Sequence, residues 1–391
     1  MSVSKSQAGG TGGEPDRRLR IVGIDPELRF AGGEVQVLSL TRELIRRGHQ
    51  AELLCDPRGG LFRSAREAGI TCHPLAIRNS IDIRAGLQLR RFLAGGDYDV
   101  VHFHTSRAHS MAPYAHGRAS CAVVTRRMDY RPNRLFARWL YHRAVDRVVA
   151  ISPGVAQSLI AAGVARSRIT IIPSGIDPDR FRPPTAAERQ AARNKLGLAS
   201  GQIAIGAAGA LEPRKGHRVL LQAMAAMQAE RDHEARCFIA GEGTLGQTLI
   251  DEAARLHLDG IVHFIGQLKD TRELLWALDI FAMPSLKEGL GVAILEAMGC
   301  GLAIAASNVG GAGDAIANGC GLAIEPGNAA ALAAALRKLI GSSEQRLALG
   351  EAARRGVIDR FTIAASTAAT LKLYFNCVKD RRRGSVSACG A

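Results

Sequence analysis

Four absences narrow what this sequence can be. No run reaches the roughly 18 uninterrupted apolar residues that a membrane-spanning helix needs, because Arg, Glu or Gly breaks even the Ala-rich segments. The opening MSVSKSQAGGTGGEPDRR lacks the apolar stretch of a secretory signal, so positions 1–18 read as a flexible polar leader and export is not expected. No two of the eight cysteines (Cys55, Cys72, Cys121, Cys237, Cys300, Cys320, Cys377, Cys389) stand at metal-ligand or redox-motif spacing, and reduced thiols in a cytoplasm account for them. Acidic residues are too few to balance the basic ones, 36 against 51, which leaves a formal net charge of +15. That excess suits a polyanionic partner, whether nucleic acid, an anionic lipid surface or phosphorylated substrates, and does not choose among them.

What is present is a long, well-patterned chain. Its 391 residues exceed what one hydrophobic core usually serves, and 47% hydrophobic with 22% charged residues is a globular rather than a disordered profile. From Arg20 onward, short β-branched runs alternate with turns and amphipathic stretches, the signature of βαβ units and parallel sheets. Strands are expected at 19–24, 51–55, 100–104, 122–125, 147–151 and 169–172, then at 203–206, 236–240, 261–265, 280–284, 303–306 and 321–324. The proline-rich, charged stretch after Asp177 divides the two sets. The expected fold is α/β, with two doubly wound, Rossmann-like parallel-sheet domains facing across a cleft. The domains run 19–182 and 202–362, with a linker at 183–201, a final helix at 363–378 and a basic, disordered tail at 379–391.

The most informative stretch is PSLKEGLGVAILEAMGCG, Pro284 to Gly301, which leaves a strand, turns through glycines and enters a helix. A helix N-terminus offers free N–H groups to an anion, and glycines let a phosphate approach the backbone. Glu288 in the turn and Glu296 in the helix are separated by seven residues, and both suit hydrogen bonds from sugar or ribose hydroxyls. Spacing alone equally permits a solvated turn carboxylate and an ordinary helix-surface glutamate.

Other signals compete. Gly241-Glu242-Gly243-Thr244-Leu245-Gly246 fits a dinucleotide fingerprint, which makes an NAD-dependent oxidoreductase the rival enzyme class. The acidic residue which that reading wants at the end of the next strand is Gln267 here. Asp97-Tyr98-Asp99 precedes a strand and reads as a solvated strand entrance rather than a metal site. His102 and His104 share one side of a strand, but no carboxylate accompanies them and His109 at useful spacing, so they read as acceptor-cleft or structural residues and no metal is expected. Arg126, Arg127, Arg131, Arg134, Arg138, His142, Arg143 and Arg147 form a basic run interleaved with Tyr130, Phe136, Trp139 and Tyr141. It reads either as a solvated helix face or as a surface for anionic lipid or a phosphorylated acceptor; nucleic acid is not expected, since no binding module is recognisable.

The Glu288 to Glu296 segment resembles the Glu, seven residues, Glu motif of the family 4 glycosyltransferases, with its flanking Pro-Ser, Glu-Gly-x-Gly and Glu-Ala-Met. RFAGGEVQVLSLTRELIRRGHQ, DRVVAISPGV, IIPSGID, LEPRKGHRVLL and SNVGGAGDAI are similar to further segments of that family, and they follow in its order from about Arg20 to Phe361. The resemblance implies a GT-B fold whose final helix returns to the first domain. It also implies retaining, metal-independent transfer from a nucleotide-sugar, UDP-linked, to a lipid-linked or polysaccharide acceptor in bacterial lipopolysaccharide or exopolysaccharide synthesis. No cofactor beyond the donor is implied. The expected location is cytoplasmic, peripheral on the inner membrane face.

By position, the resemblance assigns Glu288 to hydroxyls of the transferred sugar and Glu296 to the ribose. Arg214 and Lys215 neutralise the departing diphosphate, with backbone at Leu290, Gly291 and Val292 completing its site. Gly32 and Gly33 approach from the first domain, and Gly241 and Gly266 flank the nucleotide pocket. The chain departs from the family where Ala210 replaces a usual Arg, which leaves a catalytically silent, glycosyltransferase-like binding protein as the alternative, and where Arg127, after Thr125 and Arg126, replaces a usual cleft His. Arg127 joins the catalytic candidates on that ground, with His102, His104 and Arg126 as acceptor-side candidates.

Overall fold

The structure, a computed structural model, describes residues 17–128, 134–229 and 235–388. Most of the expected leader, Tyr130 and Arg131 of the basic run, and the last three residues lie outside the described ones, as do the side chains of Arg134 and Phe136.

Seven strands build a first parallel sheet: β1 (Arg20–Asp25), β2 (Gln50–Cys55), β3 (Cys72–Pro74), β4 (Val100–Phe103), β5 (Cys121–Arg126), β6 (Arg147–Ala150) and β7 (Ile169–Ile171). Six build a second: β8 (Ala204–Ala208), β9 (Arg236–Ala240), β10 (Val262–Phe264), β11 (Ile280–Met283), β12 (Ala303–Ser307) and β13 (Leu322–Ile324). The spatial orders are β3-β2-β1-β4-β5-β6-β7 and β10-β9-β8-β11-β12-β13. Helices cover both faces, which is why central strands such as β5 and β12 are buried at every residue and read as continuous runs rather than alternating ones. In each sheet the strand order reverses once, between β1 and β4 and between β8 and β11. In open α/β sheets the crevice beyond the carboxyl ends at such a reversal is where ligands bind.

All twelve expected strands are present with ends shifted by no more than about two residues, the usual uncertainty of such boundaries. The unexpected one is β3, three residues ending in Pro74, too short to show a period. The stretch expected as a linker carries a helix, Ala186–Lys195, opened by a reciprocal cap: Thr185 Oγ1 accepts from Glu188 N and Glu188 Oε2 from Thr185 N. Its Arg189 and Arg193 both pair with Asp279, which docks it on the second sheet.

The chain crosses between sheets twice, and the crossings run side by side. Ile176 N donates to Phe361 O and Ile363 N to Ile176 O, each at 2.8 Å. Gln36, in the helix Gly32–Arg46, clasps the first crossing with two hydrogen bonds to Gly175. After the second crossing, the helix Ile363–Ala388 lays Leu371, Leu373, Tyr374, Cys377 and Val378 against Leu19, Ile21, Val100, Val123 and Val149 of the first sheet.

Two expectations fail here. The basic tail is not disordered from position 379, because the helix continues to Ala388 and is tied down by Arg147–Asp380 (2.6 Å) and Arg381–Asp146 (3.0 Å). Nor are all the cysteines reduced: Cys121 and Cys377, separated by 256 residues, form a disulfide. Spacing reveals partners close in sequence, whereas this pair meets only through the returning helix. Among the described residues, no helix is long and apolar enough to cross a membrane.

Candidate functional site

On the second domain the site begins with two turns zipped together. The turn Pro213–Lys215 follows β8, and Leu286 N, just beyond β11, donates to Arg214 O at 2.7 Å. Gly216 closes that turn in the left-handed region (φ 66°), where a Cβ would collide with the Pro284 carbonyl. The close approach brings Lys215 Nζ onto Glu288 Oε2, with Arg214 Nη1 3.8 Å from Glu288 Oε1 and Ser285 Oγ 3.5 Å from Oε2. Arg214 is shared with Glu212 at 3.0 Å. His217, buried behind Lys215, is pushed down to about 4 by burial and by the lysine, so it stays neutral. Gly291 opens the helix Val292–Gly299, whose free N–H groups join the two cations around one small volume. Two cations and free N–H groups around one volume suit an anionic ligand.

Glu296 lies within that helix, and among the described residues no contact joins it to Glu288. It is buried and accepts from Thr271 Oγ1 at 2.8 Å; burial pushes its carboxyl up to about 7 against that hydrogen bond. A buried acceptor with one hydrogen-bond partner among the described residues is suited to a pair of vicinal hydroxyls. Gly209, Gly241 and Gly266 line the carboxyl ends of β8, β9 and β10. Gly209 N donates to Ala240 O and Gly241 N to Gly266 O, and a Cβ on Gly241 would strike the Gly209 carbonyl. The dinucleotide-like glycines thus pack turn against turn.

The first domain contributes the opposing wall. Gly32 starts its helix against Val292, the position of its absent Cβ lying 3.3 Å from Val292 Cγ2. The equivalent position on Gly33 lies 3.7 Å from Arg127 Cδ. A Cβ on Gly289 would collide with the Arg127 carbonyl, so Gly289 lets the Glu288 turn touch the end of β5 directly. Arg29 reaches Glu212 across the cleft at 3.6 Å, and Gly154 meets Gly310 Cα at 3.6 Å from its Cβ position. Beneath Arg127 lie Asp25 and Glu34, whose carboxyls are raised chiefly by burial; Asp25, also raised by Glu34, stands at about 8.

The remaining candidates lie deeper. His102 of β4 and His104 just beyond it lie side by side, with ring centroids 4.0 Å apart and planes tilted by 36°, but both are buried. His102 is hydrogen-bonded with Tyr374 of the returning helix (2.6 Å) and with Thr125 (2.7 Å). Burial pushes His102, His104 and His109 down, His109 to about 3, so the row is neutral. Arg126 is buried and donates to Ser106, and Asp99 receives Arg17 and the Arg20 N–H as a structural anchor for β1. The basic run is accordingly not one surface. Arg126 and Tyr141 face inward, while Arg138, Trp139 and Arg143 are exposed on the helix Arg134–Arg143 and line a shallow cavity with His142 and Gly163. Sequence reasoning missed Asp25, Glu34, Ser285 and Thr271. The available signal for Asp25 was its place at the carboxyl end of β1, beside the strand-order reversal.

Two domains meeting at glycine turns, with cations and carboxylates at the reversal of the second sheet, define a GT-B fold. Solved structures agree: a glycosyltransferase from Rickettsia africae has a TM-score of 0.82 at 22% identity, covering 93% of this chain and 99% of that one. HepE of Anabaena, in complex with UDP and glucose, has a TM-score of 0.81 at 20% identity, covering 91% and 99%. The model for glycosyl transferases group 1 matches residues 188–356, and that for glycosyltransferase family 4 matches residues 30–180. The D-inositol 3-phosphate glycosyltransferase 2 of Catenulispora acidiphila is 27% identical over 398 residues, 90% of this chain and 92% of that protein. A GDP-mannose-dependent monoacylated alpha-(1-6)-phosphatidylinositol monomannoside mannosyltransferase of Corynebacterium glutamicum is 35% identical over 195 residues, 48% of this chain and 50% of that one. The chain belongs to the family 4 glycosyltransferases, and it is a glycosyltransferase enzyme.

Proposed function

We propose that this chain moves a hexosyl or related sugar, with retention and without a metal, from a UDP-linked donor to a lipid-linked or polysaccharide acceptor in bacterial envelope or surface-glycan synthesis. The observation that carries the reading is the Lys215–Glu288 contact, braced by Arg214 at the start of the helix Val292–Gly299. Its cations are matched to a diphosphate and its carboxylate to the sugar beside it. As the bond from the anomeric carbon to the diphosphate oxygen breaks, charge grows on that oxygen, and Lys215 and Arg214 stabilise it. The acceptor oxygen bonds to the same face of the anomeric carbon, and its proton passes to the departing diphosphate. Cations at the diphosphate turn take the place that a metal would hold.

Glu296 holds the ribose in this reading. The acceptor enters from the side of Arg127. The protein works in the cytoplasm against the inner membrane face, docking through the exposed Arg138, Trp139 and Arg143. The disulfide cysteines are wholly buried, shielded from the reductants of that compartment.

The test is a panel of UDP- and GDP-linked sugars, scored for slow donor hydrolysis and thermal stabilisation. Because one relative is GDP-mannose-dependent by name, GDP-mannose is the informative comparison. Hydrolysis of a UDP-sugar supports the reading, and indifference to every nucleotide-sugar overturns it.

A further inference from the structure

Arg127 differs from the other cations at the cleft. Lys215 and Arg214 are both engaged by Glu288, and Arg29 and Arg214 by Glu212. The Arg127 Nε, in contrast, is enclosed and has no hydrogen-bond partner among the described residues, while the residue as a whole is partly exposed. An enclosed guanidinium N–H seldom stays unmatched, since an unpaired buried donor carries a desolvation penalty. The side chain is also fixed in place. It passes beside Gly33 at the start of the helix Gly32–Arg46, and its own carbonyl abuts Gly289, one residue from Glu288. The guanidinium is therefore held where the sugar-binding turn, the glycine loop and the carboxyl ends of β1, β4 and β5 converge.

The groups around it leave its charge available. Asp25 and Glu34 are the acidic groups that act on it, and burial raises both carboxyls, Asp25 to about 8. The histidine row behind it is neutral.

We propose that Arg127 marks a subsite for a carboxylate or phosphate carried by a substrate, either as a substituent of the transferred sugar or on the acceptor beside the forming bond. This rests on the donor-site reading given above and adds the charge of the substrate to it. A planar fork is matched to two oxygens of one anionic group, which makes arginine the fitting residue at such a point.

The test uses the full chain and two arms. In the donor arm, hydrolysis of UDP-glucose is compared with UDP-glucuronate, and GDP-mannose with GDP-mannuronate. In the acceptor arm, a neutral donor is offered with inositol or glucose and with their monophosphates. In one arm the anionic member should be preferred by about ten- to a hundredfold, the scale of a hydrogen bond to a charged group. Arg127→Gln should erase that preference and Arg127→Lys retain part of it, with affinity for UDP or GDP alone within about threefold of the parent in both variants. Neutral members preferred in both arms overturn the proposal. So does an Arg127→Gln variant that loses nucleoside diphosphate as severely as Lys215→Ala, because the arginine then serves the leaving group. A parent chain that binds neither UDP nor GDP fails at the donor site itself, a result distinct from either of these, and the subsite falls with it.

Discussion

Replacing Lys215 by Ala separates what the lysine does for the fold from what it does for the reaction. Its ammonium and the Glu288 carboxylate are mutually enclosed, with side-chain exposures of 13% and 7%. Losing the lysine leaves Glu288 with Ser285 at 3.5 Å and Arg214 at 3.8 Å, too far for strong compensation. Removing one partner of a buried pair costs about 3–5 kcal/mol. At the low end, for a domain of this size, that lowers the melting temperature by roughly 6–12 °C. Turnover should fall by about a hundred- to a thousandfold, the scale for one preorganised electrostatic donor. Donor binding should fall less, because charge on the leaving oxygen grows only as the bond breaks.

The two losses part in the double variant Lys215→Ala/Glu288→Gln. Neutralising the stranded carboxylate should return most of the melting temperature and none of the turnover. Ala210→Arg should return part of the turnover, since position 210 sits beside Gly209, whose missing Cβ would stand 3.6 Å from Lys215 Cε. Scanning calorimetry with steady-state kinetics measures both quantities. Turnover within tenfold of the parent in both Lys215→Ala and Arg214→Ala would refute the reasoning.

Four further outcomes are expected. Glu296 keeps its proton in the folded chain up to about pH 7 while an unfolded glutamate releases it near 4.5, so its contribution to stability falls as pH rises through that window. Glu296→Gln should then equal or exceed the parent's ligand-free melting temperature at pH 8 while raising the donor KM, and should flatten a parent KM that climbs as pH drops below 7. Gly289→Ala places a methyl against the Arg127 carbonyl and should hold the domains apart, cutting turnover more than nucleoside diphosphate affinity; unchanged turnover would show that the contact is dispensable. Chelators should leave initial rates intact, and strict dependence on manganese or magnesium would overturn the cation-only diphosphate site. Anionic vesicles should carry the protein in flotation at low salt, with Arg138→Glu and Trp139→Ala each reducing the bound fraction; equal flotation of the variants would remove this helix from the interface.

The sheets were legible because their strands are buried on both faces and separated by turns, which local pattern records directly. Lys215 and Glu288 were legible as motif members, but their contact was not, since it depends on Gly216 packing under Pro284. Asp25 and Glu34 were illegible as a pair because they come together only through the turn into the helix Gly32–Arg46. The basic run misled in the opposite direction: residues contiguous in sequence divide between β5, which is buried, and a helix with one exposed face. The paired cysteines escaped for the reason that also hid the length of the last helix, namely that a segment from the far end of the chain supplies the missing contacts.

That arrangement has a bearing on how the protein is made. The first sheet is complete in sequence by Ile171, yet Leu19, Ile21, Val100, Val123 and Val149 are covered only in part, by Leu40 and Leu44 of the helix Gly32–Arg46, until Leu371, Tyr374 and Val378 arrive. Domains usually fold in the order in which the ribosome releases them. Here the earlier domain must wait, apolar face partly open, while the whole of the later one is translated and folded. The nascent chain is most exposed to aggregation over that interval. A fragment cut between the domains inherits the same partly covered face permanently, and the second domain is the one to express alone.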